Sequence, residues 1–121
     1  MNPGKVVVNL ASGRDDPERA TIAFLVATAA QASGHDTLAF FTMDAVRLGF
    51  PGGPESIPQQ EGRPSFGELW SQFQASGGVV YLCPFCVSSR ELGAEPLPNA
   101  RVAGATPMWE WIGAGATVFS Y

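Results

Sequence analysis

Two thiols three positions apart, in Cys83-Pro84-Phe85-Cys86, are the residues best suited to covalent chemistry. The thiolate is the nucleophilic form of cysteine. A cysteine at the start of a helix meets the positive end of the dipole and unpaired backbone N–H groups, both of which favour that form. Val79 to Leu82 (VVYL), just before the pair, is a short apolar run that reads as a buried strand. Cys83 then stands at a strand's carboxyl end. Cys86, one turn on, is placed to attack a disulfide or persulfide formed on Cys83. The competing reading makes both thiols inert, because free cysteine is often buried as a small hydrophobe. A CxxC at a strand end in a chain without secretory features weighs against it.

Other chemistries fit less well. A structural zinc site needs four ligands, and the chain offers only Cys83, Cys86 and the lone His35. His35 falls in the Gly34-His35-Asp36 turn, at the opposite edge of the expected sheet, so no metal site is expected. Thioredoxin-type redox chemistry also uses CxxC before a helix, but after an early strand, and here only residues 87 to 121 follow. Ser12-Gly13-Arg14 lacks both phosphate-loop patterns. Arg14 is a candidate anion ligand opposed by Asp15, Asp16 and Glu18, and a solvated loop arginine is the plainer reading. Trp109 and Trp111 read as core or interface aromatics. No cofactor is expected.

The elements that must position the thiols follow from local patterns. Lys5 to Leu10 (KVVVNL) is a β-branched run without alternation, as in a strand buried on both faces of a parallel sheet. Asp16-Pro17-Glu18 starts a helix with a capping carboxylate, a first-turn proline and an acid near the positive end, and Gly34 stops it. Its apolar middle (ATIAFLVATAA) implies cover beyond its own sheet. Asp36 to Phe41 is the second strand, and Asp44 to Leu48 a short helix. Gly49 to Pro64, with four prolines, reads as a long loop free to move. Ser65-Phe66-Gly67-Glu68 matches a capping box and opens a helix ending at Gly77-Gly78. After Val79 to Leu82, a short helix is expected over Val87 to Leu92 and a strand over Arg101 to Ala103. A helical turn over Pro107 to Ile112 and a final strand over Thr117 to Ser120 complete the chain. The alternation predicts one α/β domain over 1–121, three-layered, with a mostly parallel five-stranded sheet. Ligands on such sheets sit outside the strands' carboxyl ends, where Ser12 to Asp16, Thr42-Met43-Asp44 and Cys83 to Arg90 emerge.

Composition bounds the partners. The 121 residues carry a net charge of −4, and the seven Lys and Arg residues are scattered, so neither nucleic acid nor an anionic membrane surface is an expected partner. The longest charge-free apolar stretch is shorter than a membrane span. Met1 to Lys5 shows no leader pattern, so the expected location is cytoplasmic. Charged residues make up only 15%, below the roughly 25% of soluble domains, which suggests a surface partly covered by other subunits.

The order of these elements and the cysteine position resemble the DsrE/DsrF-like family of small sulfur-relay proteins. The carriers are the opening strand with Ser12-Gly13-Arg14-Asp15-Asp16-Pro17-Glu18-Arg19-Ala20, then Ala32-Ser33-Gly34-His35-Asp36 leading to Phe40-Phe41-Thr42-Met43-Asp44-Ala45-Val46, then Val80-Tyr81-Leu82-Cys83 with Arg90 seven residues on. The resemblance implies a Rossmann- or flavodoxin-like fold and a homo-oligomer (dimer, trimer or hexamer). It also implies that Cys83 carries sulfane sulfur as a persulfide, Cys86 matching a second cysteine found in some members. The family's Arg-Gly is Arg90-Glu91 here, so a different turn is expected after the short helix. The reading is a sulfur carrier or sulfurtransferase-like protein with donor and acceptor proteins as partners. Cys83 and Cys86 carry the chemistry, and Arg14, Asp44 and Arg90 bind. Two alternatives stay open: a non-catalytic oligomeric binding module, and a CxxC redox switch.

Overall fold

A computed structural model describes residues 4–121; the start of the leader reading, Met1 to Pro3, lies outside the described residues. Five strands form one sheet: β1 (Lys5–Leu10), β2 (Thr37–Phe41), β3 (Val79–Leu82), β4 (Ala100–Val102) and β5 (Ala116–Ser120). Their order is β4-β3-β2-β1-β5, and every pairing is parallel. On β1, Val6, Val7, Val8 and Leu10 are all buried, which is why the run shows no alternation.

One face of the sheet is packed with aromatic rings. Helix α1 (Pro17–Ala32) starts where the Asp16 carboxylate accepts the Arg19 N–H at 3.2 Å, and it brings Ala20, Ala23, Phe24 and Ala27 against the strands. Helix α2 (Phe66–Ala75) starts where Ser65 Oγ accepts the Glu68 N–H at 3.1 Å. Its buried stripe of Phe66, Leu69, Trp70 and Phe73 meets the same cluster. Phe24 is the hub, with ring centroids of Phe66, Phe73, Trp70 and Phe41 at 4.7, 5.2, 5.5 and 5.7 Å. Aromatic pairs at such spacings contribute about 0.5–1.5 kcal/mol each beyond their burial. Cover of α1 by α2 as well as by the sheet explains its weak amphipathicity.

The opposite face is thinner. Leu38, Phe40, Tyr81 and Ala103 pack under Met108 and Trp111 of α4 (Ala105–Ile112). The sheet's edge at β5 is left open, with Val118 52% and Phe119 41% exposed.

Four expectations need adjustment. The short helix after the thiols is α3 (Pro84–Ser89), not Val87 to Leu92. Proline at its first position is pre-set for helical φ, so the helix begins directly after Cys83. Helix α4 begins at Ala105 rather than Pro107, since a first-turn proline lacks only an N–H that has no intrahelical partner. Met43–Gly49 is a 3-10 segment rather than an α-helix. The proline-rich stretch from Gly49 to Pro64 is tied to the core: Phe50 and Ile57 are buried, Pro54–Ser56 forms a further 3-10 turn, and the Leu97 N–H donates to Gly49 O at 2.8 Å.

Candidate functional site

The last ladder bonds of the sheet place Cys83. Its N–H donates to Phe41 O at 2.9 Å, while Leu82 O accepts the Ala103 N–H at 3.0 Å. Cys83 then leaves the strand as the N-cap of α3, and its carbonyl accepts the Val87 N–H at 3.0 Å. Its half-buried side chain touches both core clusters. A Cβ on Gly104, at the entry to α4, would come within 3.3 Å of Pro84 Cδ, so the starts of α3 and α4 meet beside the thiols.

Cys86 is held from β2. The Met43 N–H donates to Cys86 Sγ at 3.1 Å. Met43 has a φ of 53°, the left-handed region that costs a residue with a side chain on the order of 1 kcal/mol. That strained turn aims its N–H at sulfur. Burial pushes the Cys86 thiol up from its ordinary value, and its hydrogen bond and charge interaction with Cys83 add to the rise. The Met43 N–H and the Arg90 charge oppose it. The two thiols, free and within hydrogen-bonding reach of each other, are unequal in setting: Cys83 caps α3, while Cys86 accepts the Met43 N–H and is raised by burial.

Asp44, Arg90 and the thiols are brought together as the sequence suggested. Asp44 Oδ1 accepts from Arg47 Nε at 2.9 Å and lies 3.9 Å from Arg90 Nε. Arg90 Nη1 donates to Cys86 O and to Ser89 Oγ, both at 3.3 Å. Its charge acts on Cys86, opposing the rise of that thiol. Arg14 does not join this group. It lines a separate cavity with Arg47, although its neighbour Gly13 packs so tightly that a Cβ there would sit 2.9 Å from Asp44 O.

The turn after α3 differs from expectation. Glu91 has a φ of 53°, so the backbone keeps a conformation that suits glycine even though the residue is glutamate.

Sequence reasoning missed Met43, Arg47 and Phe85. Met43 acts through its backbone N–H, which no residue type betrays. Arg47 was legible as an i,i+3 partner of Asp44. Phe85, between the cysteines, is 85% exposed and Met43 58%, giving the thiols an apolar rim. Among the described residues, no three His, Cys, Asp or Glu side chains gather as metal ligands, and His35 Nδ1 bonds Gly4 O at 2.7 Å. No helix among them is long and apolar enough to cross a membrane.

A parallel α/β sheet with an unequal thiol pair at the carboxyl end of its third strand defines the class. Residues 5–121 match the DsrE/DsrF-like family, and the chain belongs to it. Among solved structures, the ychN protein from E. coli superposes with a TM-score of 0.78 at 17% identity, covering 98% of this chain and 100% of that one. That likeness is one of fold. No curated protein matches the chain.

Proposed function

We propose that this protein, a single domain acting in the cytoplasm, is a sulfur-relay carrier that holds sulfane sulfur as a persulfide on Cys83. The observation that carries the reading is the unlike placement of the two thiols: Cys83 stands at the carboxyl end of β3 as the N-cap of α3, while Cys86 is tied to the Met43 N–H and raised by burial. In the loading step the Cys83 thiolate attacks the outer sulfur of a donor persulfide R–S–SH. A Cys83–S bond forms, the donor's S–S bond breaks, and the donor leaves as its thiolate R–S⁻. Transfer to an acceptor thiolate repeats the exchange with Cys83 as leaving group. Cys86 assists as a proton-bearing neighbour held by Met43, with Arg90 and Asp44 fixing the segments on either side. The exposed rim of Met43 and Phe85 suits docking of donor and acceptor proteins.

Incubation with a persulfide donor, followed by intact-mass measurement, is expected to add one sulfur atom to the wild type and none to Cys83→Ser. An undiminished adduct in Cys83→Ser overturns the reading. The nearness of the two thiols favours a second reading, dithiol–disulfide cycling. It predicts loss of two hydrogens under mild oxidation and no added sulfur.

The chain also acts as a homo-oligomer in this proposal. Parallel sheets are ordinarily covered on both faces, and β5 carries Val118 and Phe119 uncovered, with Ile22 of α1 also exposed. Light scattering is expected to give at least twice the chain mass, and Val118→Asp to lower it. A monomeric wild type overturns this part.

A further inference from the structure

Beside the thiol edge lies a cavity of about 250 Å³ whose walls include Arg14, Arg47, Phe50, Gly53, Ser56 and Leu92. No acidic residue lines it. That is unexpected in a chain with a net charge of −4, and it has a local cause. The acids adjoining Arg14 are turned to other work: Asp15 Oδ1 accepts the Gly13 N–H at 2.7 Å, and Asp16 accepts from Arg19 through both oxygens. Among the described residues, no carboxylate lies within 4.0 Å of the Arg14 guanidinium. Arg47 uses Nε on Asp44, and among the described residues its terminal nitrogens have no hydrogen-bond partner. Asp44 is itself shared between Arg47 and Arg90, so one carboxylate serves two arginines. The loop that closes the cavity is fitted to it, since a Cβ on Gly53 would sit 2.5 Å from the Arg47 carbonyl oxygen.

The cavity and the thiols share their framework. Met43, which holds Cys86, and Arg47, which lines the cavity, begin and nearly end one 3-10 segment. Four residues at about 2 Å rise separate them by about 8 Å along its axis. On the far wall, the Leu92 N–H bonds Val87 O at the end of α3.

We infer that this cavity is the anion subsite for a low-molecular-weight sulfur donor: an organic persulfide that carries a carboxylate. Arg14 is the principal ligand and Arg47 the second, each offering charge-assisted hydrogen bonds to the carboxylate. The inference rests on persulfide loading of Cys83. In that step the Cys83 thiolate takes the outer sulfur, the donor's S–S bond breaks, the proton stays on the transferred sulfur, and the donor leaves as thiolate.

Glutathione persulfide and its diester, with both carboxylates masked, serve as the donor pair. Arg14→Gln is expected to raise KM for the acid donor about tenfold with kcat unchanged, the worth of one lost charged hydrogen bond. The diester's kinetics should be unaffected, and Arg14→Lys should recover part of the loss. Equal slowing of both donors, or of neither, overturns the inference. A second measurement stands apart from sulfur transfer: glutathione itself, titrated into isotope-labelled protein, is expected to shift the Arg14 and Arg47 side-chain resonances. Shifts without loading of the wild type would overturn the carrier reading and leave the subsite standing. Absence of shifts overturns the subsite.

Discussion

The aromatic face under α1 and α2 and the thiol edge at the ends of β2 and β3 are built on opposite terms. On the first, Phe24 touches four other rings and every neighbour is buried, so position is over-determined by packing. On the second, position comes from individual backbone bonds: Phe41 O to Cys83, Met43 N–H to Cys86 Sγ, and two residues held at left-handed φ. Packing tolerates no loss of volume. The edge carries strain and exposed apolar groups that only the core's stability can support. Substitutions in the first region should therefore cost folding, and substitutions in the second should cost chemistry or even add stability.

The sharpest break in this contrast is Phe24→Ala. Removing the hub ring should cost about 3–5 kcal/mol, a large share of the total stability of a small domain. Chemical unfolding measures it, and a loss below about 1 kcal/mol would show that the rings repack and the face is not over-determined.

A smaller effect ties stability to the edge through pH. Burial holds the folded Cys86 proton more tightly, so the unfolded chain releases its proton first as pH climbs. Above the ordinary thiol value of about 8.5 the unfolded state therefore binds fewer protons, and stability falls with rising pH through the raised folded value. Below about 8.5 this contribution is fully present. Denaturant unfolding over a pH series should show a shallower alkaline decline in Cys86→Ala than in the wild type. Parallel curves would count against a raised thiol.

The smallest effect runs the other way. Glu91→Gly removes left-handed strain at the end of α3, offset in part by the freer unfolded chain, and should stabilise by about 0.5–1 kcal/mol. A destabilised variant would mean that the Glu91 side chain does something its exposed position does not suggest.

Much of this was legible because the governing signals are local. Asp16-Pro17 and Ser65 with Glu68 act through bonds three residues long, and the helices began where those residues stand. The buried runs KVVVNL and VVYL became strands, and Cys83 stands at the carboxyl end of β3 as its position after VVYL implied. What escaped was set by contacts distant in sequence. The proline-rich stretch looked free because its prolines and glycines are turn formers, yet Phe50 and Ile57 anchor it from within. Arg14 and Arg90 looked alike as cations near a sheet edge, yet one lines a cavity and the other bonds the Cys86 carbonyl.

The opening feature, Cys83-Pro84-Phe85-Cys86, shows where the division falls. By itself the sequence determined that two thiols stand one helical turn apart after a buried strand, because composition, capping and spacing act within a few residues. Only the tertiary structure decided that they differ. Cys86 lies 43 positions from the Met43 N–H that holds it, and its burial comes from elements that meet only when the sheet assembles. A pKa reports solvent and neighbours in space, and those are fixed by the fold.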